Sequence, residues 1–146
     1  MKKSIAAVLV CLLFTALLCA CADKGNGLTK KTASGIWWLT SVDGKPLQQA
    51  YDDRAAEEGV TLEELLEELE ITKDWIRDGG SLTLDKNGTA IFSIRYMGKS
   101  AFFMGEWKLE GDEVVLTQDG EERGRLQYRD GALEMKTKDG TLTYTN

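Results

Sequence analysis

Residues 79–146 read GGSLTLDKNGTAIFSIRYMGKSAFFMGEWKLEGDEVVLTQDGEERGRLQYRDGALEMKTKDGTLTYTN, and this stretch decides the fold. Turn dipeptides cut it at Asn87-Gly88, Gly111-Asp112, Asp119-Gly120, Asp130-Gly131 and Asp139-Gly140. Such pairs reach positive φ at low steric cost, and steps of about 8 to 12 residues between turns are the spacing of an antiparallel meander. Alternate residues between the turns give one strongly apolar face: Leu82, Leu84, Ala90, Phe92, Ile94, Tyr96, Ala101, Phe103, Gly105, Trp107, Leu109, Val114, Leu116, Leu126, Tyr128, Leu133, Met135, Leu142 and Tyr144. These are the predicted core positions of strands with one face buried. Each large one favours folding by about 1.5 to 3 kcal/mol when buried, so a domain without disulfides can stand on them.

The opposite face is polar toward its end strands, with Arg123, Arg125, Arg129, Glu134, Lys136 and Lys138. In its middle it carries Ile91, Phe102, Met104 and Val115, a patch that predicts a cover.

Upstream, Gly35-Ile-Trp-Trp-Leu-Thr-Ser-Val42 is rich in aromatic and β-branched residues and runs into Asp43-Gly44, which makes it a first strand. Its opening Gly35-x-Trp37-x-Leu39 is echoed by Gly105-x-Trp107-x-Leu109. The period then changes. Pro46 can start a helix in which Leu47, Ala50, Tyr51 and Ala55 share a face, and Gly59 suits its end. Thr61-Leu62-Glu63-Glu64 is a capping box, and Leu62, Leu65, Leu66 and Leu69 form an apolar stripe that Trp75 and Ile76 can extend. The sequence thus predicts a two-helix insert over about 46–78. From Asp52 to Asp78 it holds eleven acidic and three basic residues, against thirteen of each in the rest of the chain after Cys21. Like-charged pairs four apart, Glu63 with Glu67 and Glu64 with Glu68, cost about 0.2 to 0.5 kcal/mol each, so packing has to hold the helix. Its stripe is the nearest cover for the sheet patch, against the outside of the sheet or over one barrel end.

The N-terminal region reads differently. Lys2 and Lys3 precede an apolar run from Ile5 to Ala20, short for a membrane span and organised as a secretory signal. Leu18-Cys-Ala-Cys21 resembles the lipobox of bacterial lipoproteins, with an aliphatic residue at −3, a small one at −1 and the acceptor cysteine. Cys21 fits the acceptor position, whereas Cys19 would place Leu18 at the cleavage site and Cys11 lies within the apolar run. The resemblance implies removal of residues 1–20, diacylation of Cys21, and a protein held at the extracytoplasmic face of the cell membrane by its lipid. No thiol would then remain for a disulfide, a metal or a nucleophile. Residues 22–34 are polar and aperiodic, which predicts a tether after the lipidated cysteine (21–34), reaching on the order of 20 Å, before a domain over 35–146. Lys24, Lys30 and Lys31 on it can meet anionic headgroups, at about 1 kcal/mol each.

With Gly35-x-Trp37 at the head of a meander, the domain resembles the lipocalin-like (calycin) superfamily and is similar to the small lipocalin-like lipoproteins of bacteria. That resemblance implies a small antiparallel up-and-down barrel closed at one end by the tryptophan. It also implies an arginine against that tryptophan; the last strand, Thr141–Thr145, has none, and Arg125 or Arg129 would take its place. The opening is similar too to META-type envelope domains, without their Gly-Cys-Asn run.

The chain has no histidine and no Gly-rich phosphate loop, so common catalytic and metal constellations cannot be assembled; neither catalytic residues, nor a metal site, nor a cofactor is expected. Asp85-Lys-Asn87-Gly88 lacks the spacing and closing Glu of a calcium loop. With pI near 4.8, nucleic acid is not an expected partner. Two functions remain: a non-enzymatic module binding a small apolar ligand through Phe92, Phe103, Trp107, Tyr128 and Tyr144, or an envelope protein acting through protein contacts. An interior cavity above about 300 Å³ would favour the first.

Overall fold

A computed structural model describes residues 27–146; the apolar run and Cys21 lie outside the described residues. A single helical turn, α1 (Lys30–Ala33), leads into β1 (Gly35–Val42) and the two-residue β2 (Lys45–Pro46). Three helices follow, α2 (Leu47–Glu58), α3 (Leu62–Glu68) and α4 (Asp74–Arg77). The meander then runs β3 (Gly80–Leu84), β4 (Thr89–Tyr96), β5 (Lys99–Glu110), β6 (Glu113–Gln118), β7 (Glu121–Arg129), β8 (Ala132–Thr137) and β9 (Gly140–Thr145). Strands β1 and β3 to β9 pair antiparallel in sequence order, and β1 pairs with β9, so eight strands close an up-and-down barrel. Its topology is compatible with a lipocalin-like fold.

Tight turns set the register. At Met97-Gly98, Asp119-Gly120 and Asp130-Gly131 both residues have positive φ, the mirror-image turn whose twist matches that of the flanking strands. At Gly105 a Cβ would fall 2.1 Å from the Thr117 carbonyl oxygen, so only glycine lets β6 approach there.

One end of the barrel is closed. There the β3–β4, β5–β6 and β7–β8 turns meet the start of β1, and the sequence reading of residues 28–34 as tether is corrected. Leu28 and Ala33 belong to the core. The Leu28 N–H donates to the Asp112 carboxylate at 3.3 Å, and the Trp37 indole N–H donates to the Ala33 carbonyl at 2.8 Å. The edge of Trp37 meets Tyr128, ring centroids 6.5 Å apart. Among the described residues neither candidate arginine stacks on Trp37: Arg125 lies in an ion cluster with Glu110, Glu113 and Glu122, and Arg129 is exposed.

The insert holds three helices where two were expected, because the stripe is broken after Glu68 and Ile76 is buried from the separate turn α4. Thr61 and Glu64 form the predicted capping box, and Gly59, at φ 71°, ends α2. Leu65 and Leu66 are buried, and a Cβ at Gly98 of the β4–β5 turn would lie 3.5 Å from Leu69, so the insert sits at the open end of the barrel. It leaves the outer patch uncovered: Phe102 and Met104 are 68% and 53% exposed. Val115, by contrast, is buried between its cross-strand partners Lys108 and Arg125, whose long stems cover it.

Register aligns two rows of outward side chains across four strands. One row is Ile36, Thr83, Ile91 and Met104; the next is Trp38, Ser81, Ser93 and Phe102.

Candidate functional site

An apolar cavity of about 410 Å³ occupies the open half of the barrel. Phe92, Ile94 and Tyr96 of β4 line it, with Ala101 of β5, Met135 and Thr137 of β8, Leu142 of β9 and Val42 of β1. Met97, Lys99, Ser100 and Asp139 stand at its rim. Strand pairing explains the lining. Alternation turns every second side chain inward, and these positions lie at the ends of strands nearest the insert.

A second, more polar hollow of about 460 Å³ adjoins it and shares Val42, Tyr96, Met97 and Lys99 as a wall. Its other side is α2, through Ala50, Asp53, Arg54 and Glu57. Lys45 and Asp53 form an ion pair at 2.5 Å across it, and Arg54 pairs with Glu58. The wall between the hollows is pinned by Tyr51, whose hydroxyl accepts the Met97 N–H at 2.8 Å while its ring meets Tyr96 edge-on, centroids 5.7 Å apart. Burial pushes the Tyr51 and Tyr96 phenols up, so both are neutral near pH 7.

Of the five aromatic residues named from the sequence, Phe92 alone lines the cavity. Tyr144 is fully buried beside it, ring centroids 6.1 Å apart, and its hydroxyl has no hydrogen-bond partner among the described residues. Burial raises the pKa of that phenol as well. Phe103 pairs with Phe92 across β4 and β5, its ring folded toward Gly105. Trp107 and Tyr128 belong to the closed end: the Trp107 indole N–H donates to the Asp85 carbonyl at 2.8 Å under the Lys30 ammonium, and Tyr128 packs on Trp37. Ile94, Tyr96, Ala101, Met135 and Leu142 were on the inward face already, but alternation assigns a face and gives no height along the barrel axis.

Among the described residues no three His, Cys, Asp or Glu side chains cluster as metal ligands, and no helix is long and apolar enough to cross a membrane. The geometry defines a closed eight-stranded antiparallel barrel with an apolar cavity at one end and a polar vestibule beside it. No protein family, curated protein or solved structure matches this chain.

Proposed function

We propose that the protein is a non-enzymatic, lipocalin-like binding module for a small apolar ligand, exported and held by a lipid on Cys21 at the outer face of the cytoplasmic membrane. The cavity carries this reading: about 410 Å³, walled by Phe92, Ile94, Met135 and Leu142, falls in the range of small-molecule sites, with its charged groups, Lys99 and Asp139, at the rim. The lipobox Leu18 to Cys21 supports the anchor.

The test is titration with an environment-sensitive naphthylamine probe, followed by competition with fatty acids and alkyl alcohols. Because Trp37 and Trp107 lie at the closed end, probe emission is a better readout than tryptophan emission. Saturable binding is expected, and Ala101→Trp, which fills the cavity, should abolish it without lowering the melting temperature. No saturable emission with the wild-type chain, or full binding by a folded Ala101→Trp variant, would count against the cavity and favour an envelope protein acting through protein contacts.

A further inference from the structure

The outside of the barrel is divided by charge. Outward positions of β6 to β8 carry Glu113, Arg123, Arg125, Arg129, Glu134 and Lys136, whereas the two rows that cross β1, β3, β4 and β5 hold no charged side chain. All the exposed large hydrophobic residues of the described chain lie in those two rows: Ile36, Trp38, Phe102 and Met104, between 47% and 68% exposed. Thr83, Ile91, Ser81 and Ser93 fill the places between them. An apolar band of this kind on a single wall, in a molecule otherwise rich in charge, marks a contact surface.

We propose that this wall is the face on which the anchored domain rests on the lipid bilayer, with Trp38, Phe102 and Met104 at the boundary of headgroups and acyl chains. The inference rests on the lipid anchor of the preceding section. Six residue steps separate Cys21 from Gly27, where the described domain begins, and a fully extended chain covers at most about 3.6 Å per step, roughly 20 Å in all. From Gly27 the chain enters the barrel through α1 directly into β1, whose first outward side chain is Ile36. The anchor therefore holds the start of this wall close to the membrane surface. Exposed Trp and Phe side chains suit the interface, where an apolar ring meets water, and the two rows themselves hold no carboxylate to repel anionic headgroups, the nearest on these strands being Glu106 beside them. The acidic insert lies beyond the far end of β1, so an anionic surface repels it and tilts it away.

The experiment places the lipidated full chain in vesicles of phosphatidylglycerol and phosphatidylcholine, with plain acyl chains or chains brominated just below the headgroup. Bromine at that depth should dim tryptophan emission. Trp38→Phe should remove most of the dimming, because Trp37 and Trp107 are buried, while Trp75→Phe should leave it. Phe102→Ser with Met104→Ser should also weaken it at an unchanged melting temperature. If the chain carries the lipid mass and floats with vesicles but bromine has no effect, or the dimming survives Trp38→Phe, the wall proposal is overturned while the anchor stands; a protein partner then becomes its occupant. If the wild type lacks the lipid mass and floats no better than Cys21→Ala, the anchor reading fails and takes the wall proposal with it.

Discussion

Leu66→Ala tests whether the acidic insert is part of the folded unit. Leu66 is 5% exposed and sits in the core cluster beside Leu65. The change removes three carbons, about 2.4 kcal/mol at roughly 0.8 kcal/mol per buried methylene, and a residual void adds on the order of 1 kcal/mol. The expected loss is about 3 kcal/mol. Helix α3 cannot absorb it, since seven residues are far below the roughly 12 to 15 that an isolated helix needs, and Glu63/Glu67 and Glu64/Glu68 oppose it further. The loss should therefore appear either as a shifted guanidinium midpoint for the whole barrel or as local opening of the insert. Tryptophan emission reports the first through Trp37 and Trp107. Amide exchange at Leu65 to Leu69 reports the second, where about 3 kcal/mol is roughly a hundredfold faster exchange. A change below about 0.5 kcal/mol in both measurements would refute the packing argument and leave the insert free for a partner.

Two further outcomes follow from single contacts. Tyr51→Phe leaves the Met97 N–H without its acceptor at a part-buried turn, so a loss of about 1 to 2 kcal/mol is expected together with faster exchange at Met97 and Gly98; unaltered exchange there would mean that the hydroxyl does not hold the turn. In the Arg125 cluster, hydrogen bonds hold two carboxyls below their ordinary value of 4.5: Glu110 through Lys108 first and then Arg125, and Glu122 through Arg125. A lowered folded-state pKa contributes stability that is present above the unfolded value and is lost as pH falls through the folded one. Arg125→Met should accordingly lower the melting temperature near neutral pH by an amount that shrinks as the solution is acidified below 4.5, and a gap that widens on acidification would contradict this linkage.

Much of the architecture is legible in local chemistry, and the exceptions have identifiable causes. The turn dipeptides, the alternation of β3 to β9 and the Thr61–Glu64 capping box each act within a few residues, so each reads directly. The four residues of α1 are too few to show a period; Leu28, which precedes them, is tied to Asp112 far along the chain, and Ala33 is buried under the Trp37 indole that donates to its carbonyl. Val115 faces outward as its parity demands, yet it is buried because Lys108 and Arg125 stand beside it on neighbouring strands. Trp107 and Tyr128 look like ligand residues in a list of inward aromatics. Their strands place them at the closed end, where one donates to Asp85 and the other braces Trp37.

The cavity has the same kind of origin. The interior of an eight-stranded barrel is just wide enough for side chains to fill, so open space requires missing bulk at particular heights. The closed half is filled by Trp37, Leu84, Trp107, Val114, Leu126 and Leu133, all at most 5% exposed. In the open half β5 offers only Ala101, and β6 and β7 contribute no lining residue. Two further inward positions, on β5 and β7, are glycines. At Gly105 a Cβ would strike the Phe103 ring at 2.5 Å, and at Gly124 it would press on Met135 at 3.1 Å. Without those two Cβ atoms Phe103 folds toward its own strand and Met135 toward β7, so both side chains lie along the wall. The space is thus produced by small residues at specific registers, and the aromatic content of the inward face is a poor guide to it.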